Sequence, residues 1–214
     1  MKDLYIIGGG GFASEVLFVI ERIQKRKQIW NNVFIIDDVR IVGKSIREYP
    51  IVGNIDYFIA LHEDVDAVIT INSPVGRKVV VDKIMKGKKN IFFPNIYDES
   101  AIVDYLYLNI GHGNIIMHHV VLSTHLKIGH FNIFNSYTGI GHDSKIGEFN
   151  SFNPRVAISG NVLIGDSNSF GLCSSVLQNK VVGSNNDIWL NTCVVKNIKN
   201  GNTYFGIPGK KIDL

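Results

Sequence analysis

Hydrophobic residues along the chain follow two different periods, and the period changes near Pro94. Before that point short apolar runs alternate with stretches whose apolar residues lie three or four apart, which is the pattern of strands alternating with amphipathic helices. Such alternation is typical of a parallel sheet with crossover helices. We therefore predict an α/β domain over residues 1–94. The predicted strands cover 4–7, 33–36, 67–71 and 91–93, and the predicted helices cover 12–27 and 75–86.

After about Ala101 the period becomes six, without any insertion. A helix requires a period near 3.6 and a strand requires 2, so a strict period of six is neither. Glycine, phenylalanine and asparagine also recur every eighteen residues, which makes eighteen residues one coil of three faces. We therefore predict a solenoid of hexapeptide repeats over residues 95–214, with equivalent residues about 4.8 Å apart along its axis. The apolar series is Ile116, Leu122, Ile128, Phe134, Ile140, Ile146, Phe152, Ile158, Ile164, Phe170, Val176, Val182, Ile188 and Val194.

Composition excludes several classes of protein. With 45% hydrophobic and 19% charged residues the chain is globular, and a net charge of +3 gives no reason to expect a nucleic-acid partner. Cys173 and Cys193 provide no disulfide framework. The apolar start of the chain stops at glycines and does not resemble a signal peptide, and no run of about 18 apolar residues predicts a membrane span. We therefore predict a cytoplasmic protein that does not contact a membrane.

The glycine turn after the first strand is a candidate phosphate site. Gly8, Gly10 and Ala13 fit the GxGxxA form of the dinucleotide fingerprint, in which glycines permit close approach and a helix N-terminus faces the phosphate. Asp37 and Asp38 close the second strand, where a NAD-dependent enzyme carries its ribose-binding acid. However, about 95 residues supply only one Rossmann-like half, which disfavours a dehydrogenase. The alternative interpretation is a tight strand-to-helix turn without a ligand.

Histidines form the second candidate site. His112, His118, His130 and His142 each occupy the second place after an apolar position, at an outward-facing turn where a histidine is most often merely solvated. His142 differs because it alone lies in a GHD sequence. An imidazole takes up a proton near neutral pH, and a carboxylate on its other nitrogen fixes the tautomer, so Asp143 makes His142 the best candidate for a general base.

Taken in order, YIIGGGGFASE, FIIDD, the hexads, GHDSKIGEFN, SGNVLIG and FGIPGKK resemble the hexapeptide-repeat sugar acyltransferases over nearly the whole chain. The nearest group acetylates the 4-amino group of nucleotide-linked deoxysugars, as in bacillosamine biosynthesis, and sialic-acid O-acetyltransferases are relatives. The resemblance implies a left-handed parallel β-helix after the α/β domain. It also implies direct transfer from acetyl-CoA in surface polysaccharide or glycan synthesis. The enzyme would be a homotrimer with acyl-CoA in a groove between neighbouring β-helices.

The resemblance also assigns roles to individual residues. His142 would be the base, with Asp143 raising its basicity and Asn135 at a polar position of the active site. The nucleotide sugar would be held by Gly10, Gly11, Phe12, Asp37, Asp38 and Asn72. Acyl-CoA would be held by Ser151, Gly171, Leu172, Leu190 and Lys210, the last together with Lys211 near the CoA phosphates.

Four positions depart from the family pattern. Ser151 replaces a histidine that helps to hold acyl-CoA, and Phe12 replaces a frequent histidine of the glycine turn. Asp143 replaces a glutamate, and Gly209 replaces the usual alanine of the closing segment. Two alternatives stay open: O-acetylation of a sialic-acid-type sugar, and a β-helix that serves as a non-catalytic binding module or scaffold.

A metal site is the competing use of the histidines, because zinc carbonic anhydrases are built on the same β-helix. His125 and His130 have a suitable spacing, and His112 would stack one coil from His130. The further ligand expected upstream is missing, so we predict that the protein has no metal. His118 and His119 receive no role.

Overall fold

The computed structural model describes residues 1–212, and contacts divide the chain into two units, Met1–Ile96 and Tyr97–Leu214. The boundary proposed from the sequence falls after residue 94. Residues 213–214, the end of the proposed second domain, lie outside the described residues.

The first unit is built on a six-stranded sheet with strand order β3-β4-β2-β1-β5-β6. All neighbouring strands are parallel except β3 and β4, which form an antiparallel pair at one edge. This is the predicted α/β arrangement. The elements are β1 (Leu4–Ile7), α1 (Gly11–Arg26), β2 (Val33–Ile36), β3 (Ser45–Ile46), β4 (Tyr49–Gly53), α2 (Ile55–Ala60), β5 (Val65–Ile69), α3 (Pro74–Gly87) and β6 (Ile91–Phe92).

The sequence pattern predicted the long elements and the short strand β6, but it missed three other short elements. The β3-β4 pair and α2 were not predicted, because two, five and six residues are too short to show a periodic pattern and β4 contains Pro50. Strand β5 covers Val65–Ile69, whereas the predicted strand was 67–71. The predicted start was too late because polar Asp66 interrupts the apolar run. The Asp66 carboxylate accepts a hydrogen bond of 2.8 Å from the Trp30 indole, so this polar residue has a place in the strand.

Apolar side chains of the central strands form the core of the first unit. All four residues of β1 are buried, as are Ile35 and Ile36 of β2. Helix α1 covers the sheet with the predicted residues Val16, Val19 and Ile20. Full burial of such a side chain contributes roughly 1.5–3 kcal/mol to folding. The packed core therefore fixes the strand ends from which the loops of the first unit begin.

The second unit is a β-helix whose short strands form three sheets. From Asn109 to Val194, neighbouring strands of each sheet are parallel and eighteen residues apart, as between Ile133 and Ser151. The last two strands, β24 and β25, close the coil as an antiparallel pair. The predicted left-handed parallel β-helix is confirmed. The strands are β7 (Ile96–Tyr97), β8 (Ile102–Val103), β9 (Asn109–Ile110), β10 (Ile115–Ile116), β11 (Val121–Leu122), β12 (Lys127–Ile128), β13 (Ile133–Phe134), β14 (Gly139–Ile140), β15 (Lys145–Ile146), β16 (Ser151–Phe152), β17 (Ala157–Ile158), β18 (Leu163–Ile164), β19 (Ser169–Phe170), β20 (Ser175–Val176), β21 (Val181–Val182), β22 (Asp187–Ile188), β23 (Cys193–Val194), β24 (Thr203–Phe205) and β25 (Lys210–Ile212).

Every residue of the predicted apolar series lies in one buried cluster inside the coil. The rings of Phe134, Phe152 and Phe170 stack at 4.9 and 4.8 Å between centroids, which is the spacing of one coil on the next. From Ile116 to Ile188, the third residue after each apolar position has positive φ, as in Asp143 (60°) and Tyr137 (61°), and so each of these faces ends in a sharp turn. Turn side chains therefore project at regular intervals along three corners.

Candidate functional sites

The glycine turn between β1 and α1 is built by close backbone approaches. Gly8 has φ of 102°, and its carbonyl accepts a 2.6 Å hydrogen bond from the Thr70 hydroxyl at the end of β5. A Cβ at Gly9 would lie 2.9 Å from the Asp37 carboxylate. Gly10 caps α1 without a side chain, and the first turn holds no acidic residue. The N–H groups that begin α1 are therefore free of any side-chain cap, as an anion site requires.

A cavity of about 460 Å³ opens at this turn, at the carboxyl ends of β1, β2 and β5. Ligands of open α/β sheets bind at this edge. All six residues assigned to the nucleotide sugar line this single cavity: Gly10, Gly11, Phe12, Asp37, Asp38 and Asn72. The remaining lining is mostly apolar and comes from Ile7, Gly8, Gly9, Ile36, Val39, Ile55, Thr70, Ile71 and Val80.

The Asp37 carboxylate holds the loops around the cavity together. Its oxygens accept hydrogen bonds from the backbone N–H groups of Gly9 (2.5 Å), Val39 (2.9 Å) and Arg40 (2.8 Å). Burial opposes ionisation of this carboxyl, but the three backbone donors and the Arg40 charge outweigh it and lower the pKa of Asp37. Asp38 accepts a 2.8 Å bond from the Ile55 N–H at the start of α2. Both carboxylates therefore use part of their hydrogen-bonding capacity to hold the backbone of the surrounding loops.

Two residues at this site had no signal in the sequence. Thr70, already described, holds the Gly8 carbonyl. Arg77 of α3 is almost fully buried and donates to the carbonyls of Ile71 (2.8 Å) and Asn72 (3.1 Å), which fixes the loop after β5. Burial lowers the pKa of Arg77 to about 9. In the sequence Arg77 is one basic residue of an ordinary helix, so only tertiary contacts show its task.

In the β-helix, His142 and Asp143 form a pair at an exposed corner. His142 Nδ1 lies 2.7 Å from Asp143 Oδ2, and the two side chains are 62% and 57% exposed. The positive φ of Asp143 turns the chain back so that adjacent residues can make this contact. Among residues 1–212 no group hydrogen-bonds His142 Nε2, which leaves that nitrogen available to a ligand.

Gly160 lies one coil beyond His142 and makes room for the imidazole. A Cβ at this position would lie 2.6 Å from His142 Nε2 and 2.7 Å from Cε1. The His142 carbonyl is held by a 2.7 Å bond from the Asn161 N–H, and the Asp143 N–H donates to the Thr124 carbonyl at 3.1 Å. Gly160 was not predicted as a site residue, although its spacing of eighteen residues from His142 is a signal in the sequence.

Most other histidines have structural partners. His130 Nδ1 accepts a 3.0 Å bond from the His112 N–H. The two residues lie one coil apart, as expected from the sequence, and their rings are tilted by 57° with centroids 4.1 Å apart. Burial, with a smaller effect of His130, lowers the pKa of His112 although Glu148 opposes this. His125 stacks on Tyr107 with centroids 4.6 Å apart. Within residues 1–212 no group of three His, Cys, Asp or Glu side chains is arranged to hold a metal ion.

Asn135 lies at a different corner, the one that also carries His118 and His119, the two histidines without a role predicted from the sequence. Its Oδ1 accepts from the Ser136 N–H (2.7 Å) and the Ser136 hydroxyl (3.2 Å), and that hydroxyl also lies 3.2 Å from His118 Nδ1. His119 stacks on Tyr137 with centroids 4.9 Å apart. Asn135 and Ser136 are both buried, whereas His119 and Tyr137 are exposed.

The residues assigned to acyl-CoA spread along the later coils. Leu172 and Leu190 are one coil apart at the same corner and are each about half exposed. Gly171 is required beside them, because a Cβ there would lie 2.5 Å from the Leu190 nitrogen. Ser151 is buried on β16, and Lys210 is exposed on β25.

The close approach of the C-terminal segment to the last coil explains why residue 209 is glycine. The Gly209 N–H donates a 2.7 Å bond to the Cys193 carbonyl, and a Cβ would lie 2.9 Å from the Thr192 methyl. Across the described part of the chain, no helix is long and apolar enough to cross a membrane.

Comparison with known proteins agrees with both units. Residues 3–84 match the family model of the PglD N-terminal domain. Curated protein sequences gave no significant match.

Several solved structures are similar over the full length. The acetyltransferase domain of PglB from Neisseria gonorrhoeae FA1090, in complex with acetyl coenzyme A, superposes with a TM-score of 0.89 at 22% identity, with 99% of each chain covered. PerB from Caulobacter crescentus, in complex with CoA and GDP-perosamine, gives a TM-score of 0.86 at 22% identity over 100% of this chain and 98% of that chain.

WeeI from Acinetobacter baumannii AYE gives a TM-score of 0.86, also at 22% identity, with coverage of 99% of this chain and 100% of WeeI. The predicted resemblance is confirmed at the level of the fold: residues 3–84 match the family model of the PglD N-terminal domain, and the whole chain shares the fold of the PglB acetyltransferase domain and of PerB.

Proposed function

We propose that the protein is an acetyl-CoA-dependent acetyltransferase that acts on an amino group of a nucleotide-linked sugar. The observation that carries the proposal is the His142–Asp143 pair, with Nδ1 bound to a carboxylate and Nε2 open. The cavity at the glycine turn supports it, since all residues expected at the nucleotide sugar meet there. Similar structures contain acetyl-CoA, or CoA together with GDP-perosamine.

The geometry fits general-base catalysis of direct transfer. Asp143 accepts the Nδ1 proton of His142, which places the lone pair on Nε2. The sugar amine attacks the thioester carbonyl and loses a proton to Nε2. The C–S bond then breaks, and the proton passes to the leaving thiolate, so the products are an acetamido sugar and CoA with a free thiol. No acyl-enzyme forms.

The nucleotide sugar binds at the first unit through backbone rather than cationic side chains. Among the residues that line the cavity none is lysine or arginine. The diphosphate is therefore held by the N–H groups of Gly10, Gly11 and Phe12 at the start of α1, where the helix dipole favours negative charge. Because both Asp37 oxygens already accept backbone bonds, this acid serves the cavity by holding its loops. Asp38 and Asn72 lie at its rim.

Acyl-CoA binds along the corner that carries Leu172 and Leu190, with Gly171 keeping the backbone accessible and Lys210 near the CoA phosphates. Ser151 lies on β16, in the same sheet as β25, the strand that carries Lys210. We propose a cytoplasmic homotrimer that makes an acetylated sugar for surface polysaccharide or glycan synthesis. Sedimentation equilibrium would measure three chains per particle.

The first experiment measures thiol release from acetyl-CoA. Wild type, His142→Ala and the matched control His125→Ala are assayed with UDP-, GDP- and dTDP-linked 4-amino-deoxysugars, and with CMP-linked and free sialic acid. His125 is also an exposed β-helix histidine, but it stacks on Tyr107. We expect turnover with one amino sugar, a loss of at least about 100-fold in His142→Ala, and little change in the control.

Each other outcome has a defined meaning. Turnover with sialic acid alone would replace N-transfer by O-transfer. Equal activity of wild type and His142→Ala would exclude His142 as the base. A folded wild-type protein that binds neither acetyl-CoA nor any of the sugars by calorimetry would indicate a non-catalytic scaffold.

A further inference from the structure

The cluster around Asn135 contains two polar residues that the proposed reaction does not use. Ser136 Oγ lies 3.2 Å from Asn135 Oδ1 on one side and 3.2 Å from His118 Nδ1 on the other. These three side chains form one short hydrogen-bonded chain. Asn135 and Ser136 are largely buried, and so their orientations matter more than those of exposed turn residues.

The orientation of the Asn135 carboxamide follows from its partners. The Ser136 backbone N–H can only donate, and the carboxamide atom 2.7 Å from it must therefore be the acceptor Oδ1. The Asn135 NH2 group consequently points away from Ser136. Within residues 1–212 no acceptor lies within hydrogen-bonding distance of this NH2 group. It carries two donors that a ligand oxygen can accept.

The positions of the protons determine which group donates in each of these hydrogen bonds. The Ser136 hydroxyl has one hydrogen, and Asn135 Oδ1 can only accept. If His118 carries a proton on Nδ1, it donates to Ser136 Oγ, and the hydroxyl hydrogen then turns to Asn135 Oδ1. Oδ1 accepts two hydrogen bonds in this arrangement, which resists rotation of the carboxamide.

We propose that Ser136, supported by His118, is a positioning residue that holds the Asn135 NH2 group toward an oxygen of the bound substrate. The inference rests on the proposed function, since it takes Asn135 as part of the acyl-transfer site. It gives His118 a task that follows from its contacts, distinct from proton transfer. Neither Ser136 nor His118 touches the reacting atoms.

The kinetic test is a double-mutant cycle. Ser136→Ala is expected to lower kcat/KM about three- to tenfold, the effect of one neutral hydrogen bond. Ser136→Thr, which keeps a hydroxyl, should restore most of it. Because Ser136 acts through Asn135, adding Ser136→Ala to Asn135→Ala should cost nothing further. The matched control Ser184→Ala removes a hydroxyl from the equivalent turn position of another corner and should be silent.

A structural test separates this inference from the proposed function. Crystal structures of wild type and Ser136→Ala need no turnover. We expect one Asn135 rotamer in the wild type and a rotated or divided carboxamide in the variant, with a smaller change in His118→Phe. An unchanged carboxamide in Ser136→Ala, or effects of the two alanine variants that simply add, would overturn the positioning role. If the wild type is inactive but the Asn135 carboxamide rotates in Ser136→Ala, the proposed function is overturned while the positioning of Asn135 by Ser136 stands.

Discussion

At the scale of single residues, His142 differs from the other turn histidines in what its nitrogens contact. His130 uses Nδ1 to accept a backbone N–H, which ties it to the coil, whereas His142 binds only the neighbouring carboxylate. The same place in the hexad therefore serves packing in one case and an open imidazole in the other. The difference comes from Asp143 and from the absence of a side chain at Gly160.

Gly160→Ala is expected to lower kcat about 10- to 100-fold, because a misplacement of about 1 Å in a catalytic group has an effect of this size. The added methyl would lie 2.6 Å from His142 Nε2 and force the imidazole to move. Thiol release measures the effect. Gly139→Ala is the matched control, since a Cβ at Gly139 meets nothing within 4 Å. Equal kcat for both variants would show that the imidazole tolerates the methyl group.

At the scale of elements, a ladder of buried asparagines holds successive coils together. Asn150 Oδ1 accepts from the backbone and side-chain nitrogens of Asn168 at 2.9 and 3.0 Å, and Asn150 donates in the same way to Asn132. The ladder also includes Asn114 and Asn186. It satisfies polar groups inside a narrow apolar coil, where an unpaired donor is costly.

Asn150→Ala should lower the free energy of unfolding by roughly 2–4 kcal/mol, because it leaves two buried Asn168 donors without an acceptor. Urea denaturation followed by circular dichroism measures the change. Asn109→Ala, an exposed asparagine of β9, is the control and should change stability by less than about 0.5 kcal/mol. A small effect of Asn150→Ala would mean that water replaces the lost acceptor.

At the scale of the whole molecule, two groups with lowered pKa values, one in each unit, contribute to the response to acid. His112 has a lowered pKa because of burial and His130, so the unfolded chain binds a proton before the folded protein does. Its contribution to stability is complete above the unfolded pKa of about 6.5 and is lost as pH falls through the lower folded value. Asp37 also has a lowered pKa, and its contribution is lost only below about pH 3.9.

We therefore expect the urea midpoint to fall first as the pH drops below about 6.5 and again below about pH 4. His112→Gln should flatten the first step, and Asp37→Asn should flatten only the second. Urea titrations at half-unit pH intervals measure both. Finding the first step unchanged in His112→Gln would assign it to another group.

The predictability of each part follows from the range of its interactions. The apolar series and the coil period were readable because each hexad repeats one local pattern. The β3-β4 pair and α2 were missed, since their short segments are fixed by contacts with the sheet edge. His142 and Asp143 were accessible as neighbours in the sequence, whereas Arg77 and Thr70 act on loops that only the folded sheet brings near them.

The sequence by itself determined the two architectures, because period and apolar spacing select a parallel sheet or a coil without reference to distant residues. It also placed the candidate residues at turns and strand ends. Only the tertiary structure decided which polar atoms are already engaged: Asp37 and His130 by backbone N–H groups, and Asn135 by Ser136. The reason is physical, since a hydrogen bond depends on distance and direction between groups that lie far apart in the chain or that turn geometry alone brings together.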